Sequence, residues 1–175
     1  MVFNCSALLL LIYSWQKGSG KFRSEAKMNR RFGEPVQCGR TYQFRPGAYV
    51  ILPRGSELLC TFQGGQFNEF QLPGGGIDPG ENPVPALHRE VLEETGWKVA
   101  NMRRLGAYRR FVYMPEYDKW AEKLCAIYLA RPVMRLHDPI EPDHVPVWLP
   151  LSEAASVIAS PGDRAFVEAF IAHQR

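Results

Sequence analysis

Glu90, Glu93 and Glu94 are three carboxylates spaced three and four residues apart in a stretch that reads as a helix, with Arg89 beside them. At 100° per residue such positions are neighbours on one face. Like charges there destabilise a helix by roughly a few tenths of a kcal/mol per pair, and carboxylates in a last turn also oppose the helix dipole. Helix energetics alone would place none of them there. Arg89, four residues before Glu93, can pair with it, but one guanidinium does not neutralise three glutamates. A divalent cation would, because hard ions such as Mg²⁺ take carboxylate, water and phosphate oxygens in an octahedron.

The elements that must hold these groups are legible on either side. Asn82 suits an N-cap, Pro83 the first helical position, and Gly96 a terminator, so a helix is expected from Pro83 to Thr95. Val84, Leu87 and Val91 form an apolar stripe beside the acidic face, which lets the helix pack on a core while its carboxylates face a cleft. Just upstream, Leu72-Pro73-Gly74-Gly75-Gly76 lacks Cβ atoms where a backbone would have to turn and approach a phosphate or metal closely. Taken singly, an acidic helix face is usually just solvated, and three glycines a flexible turn. Their order and spacing join them into one site.

Gly75, Glu81, Arg89, Glu90, Val91, Glu93, Glu94, Gly96 and Trp97 fit the pattern Gly-x5-Glu-x7-Arg-Glu-U-x-Glu-Glu-x-Gly-U, where U is bulky and apolar, with no departure. The stretch resembles the Nudix box, and the chain resembles MutT-like Nudix hydrolases. The resemblance implies an α/β fold, the α/β/α sandwich with a mixed β-sheet, and hydrolysis of a nucleoside diphosphate linked to another moiety. It implies Glu90, Glu93 and Glu94 as ligands of Mg²⁺, or of Mn²⁺ in its place, with the Gly74 carbonyl a further ligand. Arg89 would orient the glutamates and Glu81 would support Arg89. Glu90 could serve as base as well as ligand. Relatives also use a glutamate from a loop beyond the box, and here Glu116, Asp118, Glu122, Glu141 and Asp143 are candidates. Glu141 leads, because the resemblance to MutT-like enzymes implies an extra acidic ligand shortly before a tryptophan-bearing strand, here expected at Val145 to Leu149 with Trp148.

A chain of 175 residues with 46% hydrophobic and 22% charged content suits one soluble domain. The net charge of +3 is unevenly distributed: residues 1–47 carry +6 and residues 48–175 carry −3. The basic excess is therefore confined to the N-terminal segment and implies no stable nucleic-acid partner for the rest. Residues 1–40 read as an extension and 41–175 as the catalytic domain. Ala7 to Tyr13 is an apolar run of seven, short of the roughly 20 residues of a membrane span. No basic residue precedes that run, as a signal peptide would require. Met28 is the favoured natural start. Cys5, Cys38, Cys60 and Cys125 show neither zinc-ligand spacing nor disulfide density, consistent with reduced thiols and a cytoplasmic protein. His88, His137, His144 and His173 are scattered; His144 reads as a surface loop histidine.

Strands are expected at Ala48 to Leu52, Glu57 to Phe62, Phe67 to Leu72, Tyr108 to Tyr113 and Glu122 to Ala130. Helices are expected at Ser152 to Ile158 and Asp163 to His173. Substrate choice lies outside the box, in loops and strand faces. Oxidised nucleoside triphosphates lead, with ADP-ribose and dinucleoside polyphosphates as alternatives, and Arg54 and Tyr113 are candidate substrate contacts. A homodimer is among the assemblies the chain admits. The alternative of another class is a catalytically silent nucleotide-binding regulator. Such modules commonly lose a box carboxylate, and this chain has all of them.

Overall fold

The acidic stretch forms α1 (Pro83–Thr95), with Pro83 opening it and Gly96 closing it in the left-handed region at φ 72°. Gly96 donates its N–H to the Leu92 carbonyl, and a Cβ there would lie 1.9 Å from the His137 carbonyl oxygen. Conformation and space both demand glycine. Asn82 occupies the N-cap, but its side chain makes no capping hydrogen bond. Its carbonyl accepts from Ala86 at 3.1 Å instead.

The computed structural model describes residues 31–65 and 67–174. The apolar run at 7–13, Cys5 and Met28 lie outside the described residues. Around α1 the strands are β1 (Arg31–Gly33), β2 (Gln43–Ile51), β3 (Pro53–Arg54), β4 (Glu57–Gln63), β5 (Glu69–Gln71), β6 (Gly74–Gly76), β7 (Trp97–Met114), β8 (Lys119–Arg135) and β9 (His144–Pro150). The chain ends with α2 (Leu151–Val157) and α3 (Pro161–Ala172). One sheet is five-stranded in the order β1-β7-β8-β2-β6, and the other joins β3, β4 and β5, with β9 paired to β4. The first sheet is mixed: β1 with β7 and β2 with β8 are parallel, while β7 with β8 and β2 with β6 are antiparallel. β1 lies within the segment read as an extension and pairs in register with Arg109, Arg110 and Phe111.

The sandwich follows from β2. Ala48-Tyr49-Val50-Ile51-Leu52 is buried throughout, as expected of a strand covered on both faces. Because side chains alternate, Ala48, Val50 and Leu52 join Leu87 and Val91 of α1, whereas Tyr49 and Ile51 join Phe166, Val167 and Phe170 of α3. Leu87 and Val91 are fully buried, each contributing about 1.5–3 kcal/mol. Their burial fixes the roll of α1, which turns Glu90, Glu93 and Glu94 towards the glycine strand. Cys60 and Cys125 are buried free thiols, and Cys38 is exposed. Burial pushes the Cys60 thiol up to about 12. No helix among the described residues is long and apolar enough to cross a membrane.

Candidate active site

Arg89 organises the acidic face. Its Nε and Nη2 donate to the two oxygens of Glu81 at 3.2 and 3.0 Å, and its Nη1 donates to Glu90 at 2.8 Å and to Glu93 at 3.2 Å. A fork of this kind holds a planar geometry that lysine could not reproduce. Nη2 also reaches the Gly76 carbonyl at 3.3 Å, tying the helix to β6. The guanidinium lowers the Glu81 carboxyl below its ordinary range.

The three glutamates differ in setting. Glu94 is only 3% exposed; its Oε2 accepts the Gly74 N–H at 3.0 Å. Burial raises its carboxyl well above the usual range, with the amide opposing and Glu90, Glu141 and Glu93 reinforcing. Glu90 is raised as well, by burial first and against the pull of Arg89. Glu93 keeps its Arg89 pair at the more open edge.

β6 brings backbone to these carboxylates because it has no side chains. It pairs with Gly47, Ala48 and Tyr49 of β2. A Cβ on Gly74 would meet the Ala48 oxygen at 2.2 Å, and one on Gly75 would meet Glu90 Oε2 at 2.4 Å. Gly74 enters the site through its amide.

A second loop completes the ring. Helix ends leave carbonyls without intrahelical partners, and here the Glu93 carbonyl accepts from Ile140 at 2.8 Å and the Gly96 carbonyl from Leu136 at 2.8 Å. This docking places Glu141 and His144 against α1. Glu141 forms one tight group with Glu90 and Glu93, and another with Glu94 and His144. Among the described loop candidates it is the one drawn into the box. Asp118 receives the Tyr113 hydroxyl, and Glu122 pairs with Arg109 at 3.0 Å.

His144 is buried against the carboxylates, not on the surface as its loop position suggests. Its side chain is 8% exposed, with Nε2 3.4 Å from Glu94 Oε1 and Nδ1 2.7 Å from Glu141 Oε2. Arg54 and Tyr113 each have protein partners, and Arg54 also lies 6.0 Å from the ring centroid of Trp97, the last residue of the box pattern. Arg54 lies 3.8 Å from the Trp148 ring centroid and pairs with Glu57. Tyr113 rims a recess shared with Arg40, Asp118 and Trp120.

Four carboxylates, two of them in settings where burial disfavours the ionised form, suit a hard divalent cation whose charge would offset that cost. A family model for the NUDIX domain matches residues 43–170. The chain belongs to the NUDIX family. The NUDIX fold is seen in a NUDIX hydrolase from Nitrosomonas europaea, at a TM-score of 0.62 and 19% identity over 76% of this chain and 92% of that one. It is seen again in a MutT NUDIX hydrolase from Burkholderia pseudomallei, at 0.54 and 21% over 73% and 98%. By sequence the chain is 36% identical over 73 residues to a Bacillus subtilis (strain 168) protein named "Putative 8-oxo-dGTP diphosphatase", covering 42% of this chain and 49% of that protein. It is 39% identical over 70 residues to an RNA pyrophosphohydrolase of Yersinia enterocolitica, covering 39% of each. The chain thus spans about half or less of the length of these curated relatives.

Proposed function

We propose that the protein is a divalent-metal-dependent pyrophosphohydrolase of nucleoside diphosphate derivatives, with oxidised nucleoside triphosphates as the leading substrates. The observation that carries this reading is the carboxylate ring of Glu90, Glu93, Glu94 and Glu141, with Glu94 at its buried end, clamped by Arg89 and laid against a side-chain-free β6. Glu90, Glu93 and Glu94 would hold the cation, Mg²⁺ or Mn²⁺, with Glu141 completing the set. When bound, the ion polarises phosphoryl oxygens and lowers the pKa of a bound water.

The chain's own residues do the rest. Arg89 fixes the carboxylates in one geometry, and Gly75 and Gly76 leave room for a diphosphate to approach Glu90. Water adds to one phosphorus, its proton passes to a carboxylate of the ring, and the bridging P–O bond breaks with its electron pair leaving on the other phosphate. Glu90 and Glu141 are the two carboxylates proposed to take that proton. Their roles separate in the pH profiles of kcat for Glu90→Gln and Glu141→Gln.

A second reading has its own support. An arginine and aromatic cluster, with Arg31 over Phe111, Arg40 over Trp120 and Arg45 over Tyr117, offers cations and stacking rings of the kind that grip single strands. A 5′-triphosphorylated RNA is then the competing substrate class. One panel decides between them: nucleoside triphosphates with and without base oxidation, ADP-ribose, dinucleoside polyphosphates and 5′-triphosphate RNA, each with Mg²⁺ and Mn²⁺ and with products resolved. Turnover of nucleoside triphosphates above RNA supports the leading reading, and turnover of none of them removes it.

A further inference from the structure

The carboxylate ring is not made of oxygen alone. His144 reaches it from the first residue of β9, between Glu94 and Glu141. Its Nδ1 is fully buried and finds no hydrogen bond; at 2.7 Å the Glu141 oxygen is near enough for an ion pair but misaligned for an N–H to donate to it. Nε2 faces Glu94 Oε1 at 3.4 Å and the Gln71 amide nitrogen at 3.3 Å, the latter longer than a good hydrogen bond. Buried polar groups ordinarily find firm partners. This imidazole has two carboxylates and one weak amide contact.

Two donors bound at about 2.1 Å to a common ion stand about 3.0–3.4 Å apart at right or tetrahedral angles. The Glu94 Oε1 to His144 Nε2 separation of 3.4 Å lies at that limit, and the ligand atoms of Glu94, Glu141 and His144 all fall within 4.8 Å of one another. We infer that Glu94, Glu141 and His144 form a mixed nitrogen and oxygen site that binds first-row transition ions, with Mn²⁺ as the spectroscopic probe, in preference to Mg²⁺. The site adjoins the all-oxygen group of Glu90, Glu93 and Glu141, so Glu141 is shared by two sites of different character. Imidazole suits Fe, Ni, Cu and Zn, and Mn²⁺, the weakest binder of that series, accepts it beside oxygen, whereas Mg²⁺ takes oxygen and keeps several waters. The inference rests on the proposed metal-binding role of the box glutamates and adds to it a selectivity that those glutamates do not supply.

The test needs no substrate. Mn²⁺ is titrated into the full 175-residue chain, and the bound ion is examined by pulsed electron paramagnetic resonance with natural-abundance and ¹⁵N-histidine-labelled protein. A directly bound imidazole gives a nitrogen coupling that changes with the label. His144→Asn is expected to abolish that coupling and to weaken Mn²⁺ binding by about tenfold or more, while Mg²⁺ binding moves by less than about threefold. His144→Gln guards against a folding defect peculiar to one substitution, and the coupling in the unsubstituted chain is independent of both. Bound Mn²⁺ without histidine coupling overturns the mixed site and leaves the glutamate reading intact. Absence of Mn²⁺ binding overturns both.

Discussion

At the scale of single residues, the site stores electrostatic cost. Glu94 illustrates it: burial and neighbouring carboxylates oppose its charge, and one amide hydrogen bond supports it. A folded-state pKa raised above the unfolded value contributes stability below the unfolded pKa, and that contribution is lost as pH rises through the folded one. The metal-free protein should therefore lose stability at Glu94 and Glu90 as pH climbs above the ordinary carboxylate range. Removing the charge with Glu94→Gln should raise metal-free stability at pH 8, read as an upward shift of the denaturation midpoint. Arg89 is the complementary case. Arg89→Lys keeps the charge and loses the fork to Glu81, Glu90 and Glu93, and a fall in kcat of about tenfold to a hundredfold is expected. An unaltered kcat would show that the fork does not position the reacting groups.

At the scale of elements, α1 was legible because its punctuation is chemical. Pro83 and Gly96 mark its ends, and Leu87 and Val91 mark the buried face. Gly96→Ala meets both a left-handed φ and the His137 carbonyl, so a loss of more than about 2 kcal/mol in urea unfolding is expected. β6 was not legible as a strand, since three glycines carry no alternation, and its pairing depends on the distant Gly47, Ala48 and Tyr49. β1 was equally silent at three residues. Only segments of β7 and β8 were expected. Bulges within β7 between Lys98 and Val99, between Ala100 and Arg103 and between Arg104 and Gly106 interrupt their pairing and blur the period of two. At the start of α3, Asp163 is buried and accepts from Tyr108 at 2.8 Å, and its side chain is pushed up to about 6 chiefly by burial. Its stability contribution is present below about pH 4 and lost by about pH 6. Asp163→Asn should remove that slope, a difference on the order of 3 kcal/mol between the two proteins' pH profiles of unfolding free energy.

At the scale of the molecule, the site exists because two segments far apart in sequence dock on one helix. The glycine strand approaches α1 from one side, and the loop before β9 approaches its C-terminal end through the Glu93 and Gly96 carbonyls. The box residues were readable from their spacing, and Glu141 from its place before a strand. The burial of His144 was not, since no local signal distinguishes a loop histidine in water from one pressed against a helix end. A cation that binds only the assembled ring should stabilise the whole chain. At a hundred times its dissociation constant it adds about 2.7 kcal/mol, a rise in Tm of about 5 °C or more. Chelator should reverse the rise, and Glu94→Gln should lack it.

The central claim is that the carboxylate ring cleaves a phosphoric anhydride with a bound divalent ion, and it is tested most directly by the Mg²⁺-dependent turnover of Glu94→Gln on a substrate the unsubstituted chain hydrolyses. The predicted result is a fall in kcat of about a hundredfold or more with the fold intact by circular dichroism. An unchanged kcat in that folded variant would contradict it.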